Sequence, residues 1–247
     1  MIKIYDYKII KNLVEKNKIE NLNVLGRIKN SKTYEIFVDN IDNPKGFIFK
    51  DDYWHVPFAE DKETYEKILK NFNFQDEFGF CGIKKENFFL TTQTLKEYNL
   101  DWEEQCVLYY LPENYDFKID EVLPSLNETH VELVNTYYTY KEEGSEEYLK
   151  ECILTRPSSM IVDEKNNPIS WALIREDNTM GVMYTLKEHR KKGLAKKITF
   201  DLIYKVKSRG DIPYVHIRED NDPSKGLARE TGMIYWGDVT WFGLKKK

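Results

Sequence analysis

The sequence predicts an α/β protein, α+β in its pairing, built on a mixed sheet with helices on both faces. Two observations carry this. From residue 125 onward the segments run α-α-β-β-β-α-β-α-β, with the apolar period switching between helical and strand spacing. Hydrophobic residues make up 41% of the 247 and charged residues 32%, which suits a globular chain with a core.

In the first half the pattern predicts a helix around residues 6–17, strands near 33–38 and 46–50, a helix at 61–71 and strands near 78–83 and 104–110. This is a small α/β unit with no chemical motif. "LPENYDFKIDEVLPSL" (111–126), with prolines around an acidic centre, reads as a boundary between an N-terminal half, 1–115, and a C-terminal half, 116–247. No repeat of the ~20–50-residue kind is evident.

Beyond it, Ser125 with Glu128 three residues on reads as a capping box, and Leu126, Val131, Val134 and Tyr138 form a helical stripe. "SEEYLKECILTR" is a second helix, stopped by Pro157. "SSMIVD", "PISWALIR" and "TMGVMYTL" are strands divided by the turns "EKNN" and "EDN". After Gly193, residues Ala195, Ile198, Leu202 and Val206 make one buried helix face, with Lys196, Lys197, Asp201 and Lys205 turned outward. Gly210 and Pro213 end that helix. "YVHIR" is a short strand. Asp222 reads as N-cap and Pro223 as the first residue of a helix closed by Gly232, and "MIYWGDVTWFGL" supplies one or two final strands.

The net charge of −5 argues against a nucleic-acid partner, which calls for a basic surface. No apolar run approaches the ~20 residues of a membrane span, and the N-terminus lacks a signal-peptide core, so a cytoplasmic protein with no membrane partner is expected. The three cysteines (Cys81, Cys106, Cys152) and four histidines are dispersed, with no metal-ligand spacing.

"YTLKEHRKKGLAKKIT", Tyr184 to Thr199, holds six Lys and Arg against one Glu. It fits a solvated helix start or a cradle for a phosphorylated ligand. Its place between a strand and an amphipathic helix favours the cradle, because a helix start offers unpaired N–H groups and a positive dipole end. Gly193 and the small Ala195 let backbone approach a phosphate oxygen.

Arg190-x-x-Gly193-x-Ala195 in this setting resembles the coenzyme A loop of GNAT-type N-acetyltransferases. "SLNETHVELVN", "CILTRPSSMIVDEKNNPISW", "YTLKEHRKKGL" and "YVHIREDN" together resemble the glycine N-acyltransferase family over roughly the last 125 residues. The resemblance implies a C-terminal GNAT-like fold behind a degenerate, GNAT-like N-terminal half. It implies acyl transfer from acetyl-CoA or another acyl-CoA to a small-molecule amine or an amino acid. Arg190, Lys191, Lys192, Gly193, Leu194, Ala195 and Lys196 would hold the pyrophosphate. Met183, Tyr184 and Thr185 would pair with the pantetheine arm, and Asn221 and Ser224 would contact CoA. Asn221 reads equally as a turn residue before a helix.

Two departures bear on chemistry. Ala228 stands where many such enzymes carry a proton-donating Tyr, and Thr179 where the glycine acyltransferases are thought to carry a Glu. His216, mid-strand in "YVHI", is then the candidate base; a buried core histidine is the plainer alternative. A non-catalytic acyl-CoA-binding module is the second functional expectation.

Overall fold

The computed structural model describes residues 1–247 and divides them into two compact units. One comprises Met1–Leu108, His216–Asp220 and Trp236–Lys247; the other comprises Tyr109–Val215 and Asn221–Tyr235. The chain thus changes unit at Leu108, and the first unit takes two later segments that no composition shift announces.

The elements of the first half are β1 (Ile2–Ile4), α1 (Lys11–Lys16), α2 (Leu22–Asn30), β2 (Glu35–Val38), β3 (Gly46–Asp51), β4 (Trp54–Ala59), α3 (Lys62–Lys70), β5 (Glu77–Lys84), α4 (Lys85–Thr94) and β6 (Tyr98–Tyr110). Strands β1 to β4 are antiparallel neighbours. β4 meets β5 in parallel at only two residue pairs, Trp54 with Gly79 and His55 with Phe80. The last strand, β11 (Ile234–Lys246), lies antiparallel to β5 and precedes β6 and then β10 (Tyr214–Arg218) in the sheet order. Phe47, Phe49, Phe78, Phe80 and Phe242 are fully buried in this unit's core. The run Phe47-Ile48-Phe49 is buried without alternation, as in a strand covered on both faces.

The second unit holds α5 (Val131–Thr136), α6 (Ser145–Thr155), β7 (Ser158–Val162), β8 (Pro168–Ile174), β9 (Met180–Thr185), α7 (Leu194–Ser208) and α8 (Asp222–Glu230). β7, β8 and β9 form an antiparallel sheet with every residue of the central β8 buried. Ile198, Leu202 and Val206 bury the inner face of α7, and Gly210 follows its end at φ 77°.

Three local expectations are corrected. Asn127, not Ser125, caps the turn before α5: its side chain accepts the Thr129 N–H at 3.0 Å, and its own N–H donates to His130 Nδ1 at 3.0 Å. Asn221, not Asp222, caps α8. Asp201 points inward and is 1% exposed; it accepts the Leu123 N–H at 2.9 Å and lies 2.8 Å from Lys205 Nζ. A carboxylate one turn before a lysine looks like a solvated pair in the sequence, and here it serves an incoming segment whose backbone donor needs an acceptor.

From α1 to β6 and from α5 to β11 the elements repeat one order, α-α-β-β-β-α-β-α-β. The repeat is one of topology, with no matching residue pattern to reveal it.

Candidate functional site

β9 is an edge strand of its sheet, so one side of its backbone makes no ladder bonds there. Its pairing with β8 slips: Trp171 faces Tyr184, but Leu173 faces Gly181, so β9 carries an extra residue. Val182 takes up the bulge at φ 49°, a conformation that a β-branched side chain strongly resists. The bulge re-aims the strand just before Met183, Tyr184 and Thr185. No local pattern shows it, since a strained valine reads as an ordinary strand residue.

Beyond β9 the chain makes a short 3-10 turn, Lys187–His189, and reaches the basic loop. Lys191 (φ 60°) and Gly193 (φ 77°) both adopt the left-handed region, the kind of loop backbone that gathers N–H groups around an anion. Gly193 is the N-cap of α7, with no side-chain cap and no acidic residue in the first turn. The N–H groups of the first turn and the positive end of a 15-residue helix therefore face outward. A Cβ at Gly193 would meet nothing within 4 Å, so glycine is required there by backbone conformation and not by crowding.

A cleft of about 470 Å³ opens at this point. Thr185, Arg190, Lys191, Gly193, Leu194, Ala195 and Lys196 line one side. His189 lines it too, and α8 supplies Pro223, Gly226, Leu227 and Glu230. The α8 positions follow i, i+3, i+4, i+7 spacing, a face visible in the sequence only once the helix has something to face. Lys192, Met183 and Tyr184 lie outside the lining, as do Asn221 and Ser224. Asn221 Oδ1 accepts the Ser224 N–H at 3.2 Å, the geometry of a helix cap.

Arg190 is held back onto its own strand. Its Nε–H donates to the Thr185 carbonyl at 3.0 Å, and its guanidinium lies 5.3 Å from the centre of the Tyr184 ring. Tyr184 in turn stacks on Tyr137 at 4.4 Å. Across the cleft, Lys196 approaches Glu230 at 3.5 Å, an exposed and weak pair.

The equivalent helix of the first half, α3, starts differently. Asp61 caps it, accepting the Thr64 N–H at 2.8 Å, and Glu63 lies in its first turn. Carboxylates already occupy and neutralise that helix start, whereas α7 leaves its own open to an anion.

His216 belongs to the first unit, where Trp241 Nε1–H donates to its Nδ1 at 3.0 Å. That bond puts the proton of the neutral imidazole on Nε2. Gly82 packs on the ring, since a Cβ there would fall 2.5 Å from His216 Cε1. Thr179 is buried on Asp177 Oδ1, to which its N–H and hydroxyl donate at 3.0 and 2.6 Å, and Ala228 is buried in α8. Burial pushes the Cys152 thiol up to about 12, so it is no nucleophile near neutrality. No three His, Cys, Asp or Glu side chains are grouped to hold a metal, and no helix is long and apolar enough to cross a membrane.

With this geometry in view, comparison with known proteins shows what the chain resembles. Residues 160–237, which include the bulged strand, the loop and both cleft helices, match the model of the FR47-like protein family. The chain is 22% identical over 226 residues to the rat glycine N-acyltransferase-like protein Keg1, covering 87% of this chain and 76% of that one. It is 30% identical over 100 residues to rat glycine N-acyltransferase, covering 40% of this chain and 34% of the relative. The chain is thus similar to the glycine N-acyltransferases in sequence, most specifically over its C-terminal half. A GNAT-family acetyltransferase from Colwellia psychrerythraea superposes with a TM-score of 0.57 at 12% identity, covering 99% of this chain and 98% of that chain. A Drosophila protein reaches a TM-score of 0.81 at 14% identity over 99% and 97% of the two chains. At those identities the structures establish the GNAT fold alone. The match to rat glycine N-acyltransferase spans about a third of that protein.

Proposed function

We propose that the protein transfers an acyl group from acetyl-CoA or another acyl-CoA to the amine of a small molecule or amino acid. The observation that carries this is the uncapped start of α7, where Lys191, Gly193 and Lys196 line one cleft beside the end of a bulged edge strand. A pyrophosphate suits that cradle through backbone N–H groups and charge-assisted contacts. The edge of β9 at Met183 to Thr185 suits an extended amide-bearing arm, which binds by adding to a strand. Lys192, exposed in the same loop, adds long-range positive charge, and Asn221 and Ser224 contribute by fixing the start of α8. The bound ligand supplies the thioester; the protein supplies orientation and a polarised carbonyl.

The amine must arrive neutral, and His216 is the proposed base. Its Nε2 carries the proton in the neutral form, so proton acceptance requires exchange of the Trp241 bond at Nδ1 or a tautomer change. A His216→Gln variant that keeps kcat and the acidic limb of its pH profile would end that assignment.

A second reading, a non-catalytic acyl-CoA-binding module, draws support from Ala228 and from Thr179, both buried where an acid or base would be useful. One experiment separates the two. Acetyl-CoA and CoA are titrated in a thermal-shift assay of the wild type and Arg190→Glu, and free CoA thiol is then followed with a panel of amines. Ligand at about a hundred times its Kd stabilises by roughly 2.7 kcal/mol. A shift lost in the variant, followed by amine-dependent thiol release, is expected. A shift without release leaves the binding module, and no shift with any acyl-CoA removes both readings.

A further inference from the structure

In the second unit, where the segment from α5 to α6 meets the turn between β8 and β9, a cation has no directly bonded anion. Arg175 directly follows β8. Its guanidinium lies flat over the β9 backbone at Gly181, where a Cβ would stand 2.9 Å from Nε and 3.2 Å from Cζ. The Tyr140 ring centre is 6.0 Å from Cζ, and Tyr138 and Tyr148 continue the wall, with Tyr138 5.9 Å from Tyr140 and 6.3 Å from Tyr148 between ring centres. Nε is buried without an acceptor, and no carboxylate lies within 4.0 Å of the guanidinium nitrogens. The neighbouring acids are directed elsewhere. Glu176 Oε2 accepts the Tyr148 hydroxyl at 2.6 Å, and Asp177 Oδ1 takes the two Thr179 donors. Asp177 and Glu176 both offset part of the charge through space, without a direct ion pair.

A cation enclosed by aromatic rings without a bonded anion is costly, and a ligand anion recovers that cost. Guanidinium is planar and matches a carboxylate with paired N–H donors. Arg175 is half-buried rather than sealed in the core. Burial pushes the Tyr138 phenol up to about 12, which keeps it a hydrogen-bond donor near neutrality.

We propose that Arg175 is the specificity-determining anchor for an acceptor carboxylate, selecting amino acids from among amines. The assignment rests on the N-acyltransferase reading. In that reaction the acceptor nitrogen forms the C–N bond, the C–S bond breaks, and the amine proton ends on the departing CoA thiolate. Arg175 holds the far end of the acceptor and takes no proton.

Calorimetric titration of the full chain with N-acetylglycine and N-acetylglycinamide tests it without requiring turnover. The wild type is expected to bind the acid at least tenfold tighter than the amide, and Arg175→Gln to bring the two within threefold. Arg175→Lys should recover part of the preference. Gly181→Ala, which keeps the charge but displaces the guanidinium, should lose it. Equal binding of acid and amide by the wild type, no binding of either, or an undiminished preference in Arg175→Gln would overturn the proposal. So would inorganic phosphate competing as well as the acid. An unchanged acetyl-CoA thermal shift in Arg175→Gln shows that the variant folds. Thiol release with glycine against glycinamide is read separately: none with any amine would overturn the acyltransferase reading while the calorimetry still decides Arg175.

Discussion

The Arg190 guanidinium rests 5.3 Å from the centre of the Tyr184 ring, so the first basic residue of the loop is braced by the strand that precedes it. Its Nε–H bond to the Thr185 carbonyl completes the brace and leaves the terminal nitrogens for a ligand. Lysine keeps the charge but neither stacks as a plane nor makes that bond. Arg190→Lys is therefore expected to weaken acetyl-CoA binding several-fold, in line with the ~0.5–1 kcal/mol of an exposed cation–π contact plus one hydrogen bond. Equal affinity in a calorimetric titration would mean that Arg190 acts as charge alone.

Gly193 isolates the backbone contribution. An alanine there meets no atom within 4 Å but must hold φ near 77°. The strain amounts to about 1–2 kcal/mol for a residue with a Cβ. Gly193→Ala should lower the melting temperature by a few degrees and weaken acetyl-CoA binding, while Gly193→Asn, which tolerates this region better, should do less of both. An unaltered melting temperature in Gly193→Ala would show that the loop relaxes away from the conformation described.

Glu230 places a carboxylate in a cleft assigned to phosphates, drawing Lys196 to 3.5 Å. Removing it frees the lysine and lowers the repulsion of an anion. Glu230→Gln should tighten CoA binding about two- to fivefold at low salt, an advantage that fades as salt screens it. Weaker binding in the variant would place the anion elsewhere.

What the sequence shows and hides follows from how local each determinant is. The inner face of α7, the strands β7 to β9 and the basic loop rest on spacing within one element, and they read directly. β4 does not, because Pro57 in "WHVPFA" argues against a paired strand; the structure nevertheless sets Pro57 opposite Ile48. α4 escapes because "KENFFLTTQT" does not sort its apolar residues to one face. The place of β11 beside β5 is set by contacts across most of the chain, which no window contains. At the site, the basic residues were legible and the α8 lining was not. The same holds for Val182, whose strain depends on register, and for Arg175, whose unpaired charge appears only when Gly181 and three tyrosines are brought around it.

Asp201 and Lys205 form a partly buried pair that ties Leu123 and Ser159 to α7. Lys205 Nζ also donates to the Leu123 and Ser158 carbonyls at 2.8 Å each. Asp201→Ala leaves the Leu123 N–H and the Ser159 hydroxyl without their acceptor and Lys205 without its counter-charge, at a cost of about 3 kcal/mol. Asp201→Asn keeps an acceptor and should lose roughly half as much. Urea midpoints of the two variants measure this, and a loss below about 1 kcal/mol for Asp201→Ala would return Asp201 to the solvated role its sequence spacing suggests.

His55 gives the first unit an acid limit. Its ring lies 5.4 to 5.6 Å from those of Phe72, Phe74 and Phe78, and its Nδ1 is 3.1 Å from the Tyr53 carbonyl, to which it donates. Burial holds the imidazole down at about 4 from an ordinary 6.5. The folded pKa is thus the lower one, so as pH falls the unfolded chain takes up the proton first. The stability due to neutral His55 is whole above pH 6.5 and is lost progressively from 6.5 down to about 4. Over that window the loss is roughly 3 kcal/mol, at about 1.36 kcal/mol per pKa unit. His55→Leu removes the titrating group and should flatten stability between pH 6.5 and 4 relative to the wild type. Urea midpoints at pH 7.5 and 5 compare the two proteins, and identical pH slopes would show that water or a rearranged ring reaches the Nε2 that is buried here without a partner.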